Sequence, residues 1–366
     1  MNPTRHLHAL GQSLWLDNIT REILDDGTLR QYIDEFSITG LTSNPSIFDA
    51  AIGSGHAYDA GVAAKVKAGK SGEALFLELA LEDLRRAAEL FRPVFDASDH
   101  GDGWVSMEVS PLLAHDSAGS TAAARQIHAQ AACPNLLVKI PGLPAGIPAI
   151  EDSIHAGIPI NVTLLFSCAQ YLASAHAYMR GIERRIADGL DPRVSSVASL
   201  FVSRWDVAAN ARVEPALHNR LGIAMAGRTY RAYRELLASP RWRALADAGA
   251  LPQRLLWAST GTKDPQAPDT LYIQALAAPG TINTMPPTTL RAFADHGVLE
   301  APMAVDGGAA EAVLARFEQA GIGLDALAHQ LQEDGAAAFV KSWLQLLQRI
   351  ADKAAGLASA SPPVGS

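Results

Sequence analysis

A chain of 366 residues with 48% hydrophobic content can bury a large core, enough for one barrel-sized α/β domain or for two smaller ones. The formal net charge of −8 argues against nucleic acid as the main partner and leaves room only for a local basic pocket that takes a small anion. Cys133 and Cys168 make no disulfide framework, and no group of Cys and His has zinc spacing, so a reduced compartment, the cytoplasm, and no structural metal are expected.

The first residues lead into no apolar stretch of signal-peptide or membrane length, so neither export nor membrane anchoring is expected. Short β-like runs then alternate with longer helical patterns. Eight strands are predicted, at 14–17, 38–42, 104–109, 136–140, 158–166, 196–202, 255–259 and 281–284. That number and alternation predict a (β/α)8 TIM barrel with additional helices, as one domain over 1–357. Between the second and third strands, residues 45–72 read as an insertion with short helices, able to cover one end of a barrel and carrying few candidate catalytic side chains.

Leu77, Leu81, Leu84, Ala88 and Phe91 recur at helical spacing with charged residues between them, which predicts an amphipathic helix outside the sheet. Ser167 and Gln170 have capping-box spacing directly after the fifth strand. From Gly307 to Leu357 the chain is alanine-rich, and Trp343, Leu344, Leu346, Leu347 and Ile350 predict a final helix docked on the barrel. Residues 358–366 are expected to form a disordered tail.

Lys139 is the unusual residue in this pattern. It sits inside Leu136-Leu137-Val138-Lys139-Ile140, an apolar run that reads as a strand buried on both faces. Burial disfavours the ammonium form, and an amine made neutral this way can attack a carbonyl. The plainer alternative is a lysine that snorkels to solvent at a strand end.

In a barrel, chemistry occurs at the carboxyl ends of the strands. The residues late in each predicted run are Asp17; Thr42, Ser43 and Asn44; Glu108; Lys139; Asn161 and Thr163; Ser199 and Arg204; and Ser259 with Lys263. Singly they have structural readings: Asn44-Pro45 as a turn, Asn161 and Thr163 bonded to backbone, Asp17-Asn18 as a cap. Neither Gly261-Thr262-Lys263 nor Gly53-Ser54-Gly55 completes a nucleotide-binding glycine fingerprint, so no ATP or NAD is expected.

Taken together, four segments resemble the transaldolase family of class I, Schiff-base-forming aldolases: Gly40-Leu41-Thr42-Ser43-Asn44-Pro45-Ser46, Leu137-Val138-Lys139-Ile140-Pro141, Asn161-Val162-Thr163-Leu164-Leu165-Phe166-Ser167, and Ser199-Leu200-Phe201-Val202-Ser203-Arg204. The resemblance runs from Leu14 to about Pro286. It implies a (β/α)8 barrel whose Schiff-base lysine lies on the fourth strand, where Lys139 falls by the strand count. It further implies Glu108 as acid/base acting through a water positioned by Thr163, and Asp17 as the base at the C4 hydroxyl. Thr42, Asn44, Asn161, Ser199 and Phe201 are implied on the dihydroxyacetone side, and Arg204, Ser259 and Lys263 on the phosphate.

Some members carry an arginine in the seventh-strand loop where this chain has Gly-Thr-Lys. The implied activity is reversible dihydroxyacetone transfer from sedoheptulose 7-phosphate to glyceraldehyde 3-phosphate without metal or organic cofactor. The related fructose 6-phosphate aldolases typically have glutamine and tyrosine where this chain has Glu108 and Phe201. A non-catalytic barrel that binds sugar phosphates is a third reading, against which Lys139, Glu108 and Asp17 stand together. Sugar phosphates are the expected partners; the oligomeric state is open from sequence.

Overall fold

Eight parallel strands close on themselves in the computed structural model, which describes residues 2–360. They are β1 (Ser13–Asp17), β2 (Ile38–Thr42), β3 (Trp104–Glu108), β4 (Leu136–Pro141), β5 (Ile160–Leu165), β6 (Ser196–Phe201), β7 (Gln253–Ala258) and β8 (Ile282–Met285), in sequence order around the barrel with β8 returning to β1. All eight expected runs are strands, with ends shifted by a residue or two. The fold is the expected (β/α)8 barrel.

Alternation along each strand separates two cores. Leu136, Val138 and Ile140 face outward and join the apolar layer between sheet and helices, while Leu137 packs inside the barrel with Trp15, Val197, Leu256 and Ile282. Lys139 is two residues beyond Leu137 and so shares its inward face, above that apolar floor. The register sets Glu108 opposite Lys139, Lys139 opposite Asn161, and Asp17 opposite Thr42. Polar residues far apart in sequence are therefore at neighbouring strand ends.

The helix Gly72–Ala97 buries Leu81, Leu84, Ala88 and Phe91 as its spacing predicts, with Leu77 only partly covered. Ser167 and Gln170 form the expected reciprocal capping box at the start of helix Cys168–Ala187. The 45–72 insertion holds two helices, Pro45–Gly53 and Asp59–Lys67.

The insertion bridges the barrel and the C-terminal helix. Tyr58 Oη donates to fully buried Asp83 at 2.8 Å, and Arg21 Nε donates to the same carboxylate at 2.9 Å. At the other side Arg349 pairs with Asp49 at 2.5 Å, its guanidinium passing so close to Gly53 that a Cβ there would stand 2.8 Å from it.

The last helix, Leu324–Ala360, docks through Trp343, Leu346 and Ile350, whereas Leu344 is 52% exposed and takes no part in that face. Residues 358–360 continue this helix rather than beginning a tail, and 361–366 of the expected tail lie outside the described residues. Among the described residues no helix is long and apolar enough to cross a membrane.

Candidate active site

The carboxyl ends of the strands surround a cavity of about 140 Å³. Lys139 lines it, 7% of its side chain exposed, with Nζ 2.5 Å from Glu108 Oε1 and donating to the carbonyl of Ser43 at 3.0 Å. The snorkelling alternative is thereby excluded. The contact with Glu108 is ionic rather than an aligned hydrogen bond, since Oε1 has no hydrogen-bond partner among the described residues. In the fold the amine is not isolated, because the Glu108 carboxylate stands beside it.

Two buried carboxylates frame that amine. Burial pushes Glu108 above the usual carboxylate range, Lys139 opposes the shift, and Asp17 adds to it. Burial likewise pushes Asp17 up, against the opposing pull of Lys139 and of the Thr42 hydrogen bond. Thr42 Oγ1 donates to Asp17 at 2.8 Å and so accepts from Thr284 Oγ1 at 2.7 Å, making a relay from β8 through β2 to β1.

Thr163 sits at a break in β5. The register with β6 shifts between Val162 and Leu165, and Leu164 has φ of +59°, a left-handed backbone costly for a branched side chain. Thr163, two residues beyond Asn161 and so on the same inward face, lines the cavity wall, where its buried Oγ1 has no hydrogen-bond partner among the described residues. An unsatisfied hydroxyl facing a polar cavity fits the holding of a water.

Gln332, from the C-terminal helix, fixes this region: its Nε2 donates to Leu164 O at 2.9 Å and to Gly142 O at 3.1 Å. Three residues on, Gly335 lets the same helix approach, since a Cβ there would stand 3.0 Å from Leu164 and 3.3 Å from the Arg204 guanidinium. Phe339, one turn further, reaches the cavity wall.

Asn44, Ser199, Phe201, Arg204, Ser259 and Lys263 also line the cavity. Asn44 has the expected turn role as well, because its Oδ1 accepts from Ile47 N at 3.1 Å and caps helix Pro45–Gly53. Arg204 is half-buried over the Phe201 ring and has no hydrogen bond or ion pair among the described residues; burial pulls it below the usual guanidinium range. Lys263 is exposed at the rim and is likewise without an acidic partner among them. Ser259, at φ +55°, shares a hydrogen bond with Ser203 at 2.9 Å across the ends of β6 and β7.

Two of the expected residues are not on the cavity wall. Glu108 stands behind Lys139. Asn161 is fully buried, accepting from Ser199 Oγ at 2.7 Å and donating to Ser106 Oγ at 3.2 Å, so it reaches the cavity through Ser199.

Sequence reading overlooked Thr284, Gln332 and Phe339. Thr284 carried a usable signal, being polar and late in the eighth strand. Gln332 and Phe339 carried none, since their helix is more than a hundred residues from any strand end they touch except those of β7 and β8.

A model of the family "Transaldolase/Fructose-6-phosphate aldolase" matches residues 14–350. A protein named transaldolase from Arthrobacter sp. (strain FB24) is 43% identical over 354 residues, covering 94% of this chain and 95% of its own length. Transaldolases so named from Thermobifida fusca (strain YX), 42% identical over 97% of this chain and 99% of its own, and from Thiobacillus denitrificans, 43% identical over 96% and 100%, are equally extensive matches. With a closed barrel, a buried lysine on β4 against a glutamate, and similarity along nearly the whole chain, this protein belongs to the transaldolase/fructose-6-phosphate aldolase family.

Proposed function

We propose that this chain is a transaldolase, transferring a dihydroxyacetone unit reversibly from sedoheptulose 7-phosphate to glyceraldehyde 3-phosphate to give erythrose 4-phosphate and fructose 6-phosphate. The observation that carries this reading is the 2.5 Å contact between Lys139 Nζ and Glu108, buried at the end of a cavity with two cations near its mouth that have no ion pair among the described residues. A lysine used only for stability would not need such a costly site. We assign the enzyme to the cytoplasm and its substrates to the sugar phosphates.

The chemistry follows from the positions. Lys139 attacks C2 of the ketose as Glu108 takes up its proton; a C–N bond forms. The protonated Glu108, through a water held by Thr163, returns that ammonium proton to the C2 oxygen, then carries one of the two protons left on the Lys139 nitrogen to the resulting hydroxyl; the C–O bond breaks, and water leaves a protonated imine. Asp17 then removes the C4 hydroxyl proton. The C3–C4 bond breaks, its electron pair delocalises from C3 into the imine, and the aldehyde departs. Ser199, Thr42 and Asn44 hold the hydroxyls of the retained three-carbon unit, with Asn161 orienting Ser199. Addition of the acceptor aldehyde reverses these steps.

Arg204 and Lys263, with Ser259, would receive the phosphate. Free guanidinium donors match phosphate oxygens, and the loops after strands seven and eight are a recurrent phosphate site in barrels. The relatives named transaldolase and Glu108 itself favour transfer over simple cleavage.

Borohydride added with fructose 6-phosphate is expected to fix a three-carbon adduct on Lys139, located by mass spectrometry, and turnover is expected only when an acceptor aldehyde is present. A label on another residue would remove the central assignment. Turnover without acceptor, releasing free dihydroxyacetone, would make the enzyme an aldolase.

A further inference from the structure

Glu108 separates two cavities. It is absent from the wall of the substrate cavity, yet 8% of its side chain is exposed, and it lines a second cavity of about 350 Å³ on the outer side of β3. That space is bounded by Met107 of the strand and Ser110 after it, Leu77 and Ala123 from the flanking helices, and Trp343 from the C-terminal helix. At its solvent mouth stands Glu73, exposed, its Oε1 accepting from Ser110 Oγ at 3.2 Å and from Trp343 Nε1 at 3.0 Å.

We propose that this second cavity is a water passage to Glu108, through which the water released at imine formation and consumed at imine hydrolysis exchanges with solvent while the sugar phosphate stays bound. The inference rests on the Schiff-base reading above. On that reading the sugar lies between Lys139 and the phosphate-holding residues at the mouth, across the way out of a cavity of only about 140 Å³. The second space, about 350 Å³, is more than twice as large, and its polar mouth gives waters anchors. Every imine formed expels one oxygen atom as water, and that atom must leave before solvent oxygen can replace it.

Oxygen exchange reads this directly. Fructose 6-phosphate is incubated with enzyme in ¹⁸O-water without acceptor, and label entering C2 is measured against the borohydride-trapped adduct at Lys139. Ala123→Leu would fill the passage from a half-buried position on its wall, and Ala74→Phe would block the mouth from an exposed helix position that tolerates substitution.

In both variants exchange per trapped adduct is expected to fall at least tenfold, with KM for the sugar unchanged. Exchange at the wild-type rate in folded Ala74→Phe or Ala123→Leu enzyme would overturn the passage while leaving the Schiff base intact. No adduct in the wild type would instead overturn the reading beneath it, and the passage with it.

Discussion

The Arg204 guanidinium carbon lies 5.2 Å from the centre of the Phe201 ring, and no carboxylate answers its charge among the described residues. The ring holds the cation by its π face and leaves the hydrogen-bond donors free toward the cavity. Arg204→Ala is expected to raise KM for a phosphorylated acceptor by about 10- to 100-fold, the range of one charge-assisted hydrogen-bonded contact of roughly 1.5–3 kcal/mol. KM for an unphosphorylated aldehyde should change little. Steady-state kinetics with both acceptors makes the check, and equal effects would exclude a phosphate clamp.

Glu108 and Lys139 share a buried site in which one group must give up a proton as the other takes it. Glu108→Gln keeps the shape and removes the acid. Its kcat should fall by about 10²- to 10⁴-fold, the usual contribution of a positioned acid/base, with KM within about threefold of wild type. Phosphate affinity is the internal control, because Arg204 and Lys263 are untouched. A kcat near wild type would contradict the acid/base assignment.

Asp206, two residues beyond Arg204, is 1% exposed and faces no cation among the described residues. It accepts from Leu221 N at 2.8 Å and from Tyr272 Oη at 2.8 Å, and burial raises its carboxyl to about 6. Because the folded value lies above the unfolded one, its contribution to stability is complete below about pH 4 and is lost as pH rises through 6. The shift corresponds to about 3 kcal/mol. From pH 4 to pH 7, Asp206→Asn should therefore gain up to about 3 kcal/mol relative to wild type in urea unfolding. A constant difference across that range would contradict the assignment.

The strands were legible because β-like runs bounded by turn residues recur at barrel spacing, and burial on both faces leaves long apolar runs. Lys139 stood out for the same reason, as a charge inside such a run. The capping box at Ser167 and the amphipathic pattern from Leu77 to Phe91 were equally local signals and were found in place. Leu344 was misread because a pattern of apolar residues does not say which side of a helix meets the barrel; the docked face is Trp343, Leu346 and Ile350. The purpose of the 45–72 insertion was illegible for a related reason, since Tyr58 and Asp49 find their partners Asp83 and Arg349 only across the fold.

By itself the sequence determined the barrel, the strand that bears the amine, and the residue types gathered at the strand ends, because periodicity and the cost of a buried charge are written in neighbouring residues. Only the tertiary structure decided that Glu108 stands behind Lys139 rather than on the substrate wall, that Leu164 takes a left-handed backbone beside Thr163, and that Gln332 and Phe339 complete the site from a distant helix. Those relations depend on register and on helix docking, which are set by packing among segments that no local pattern connects.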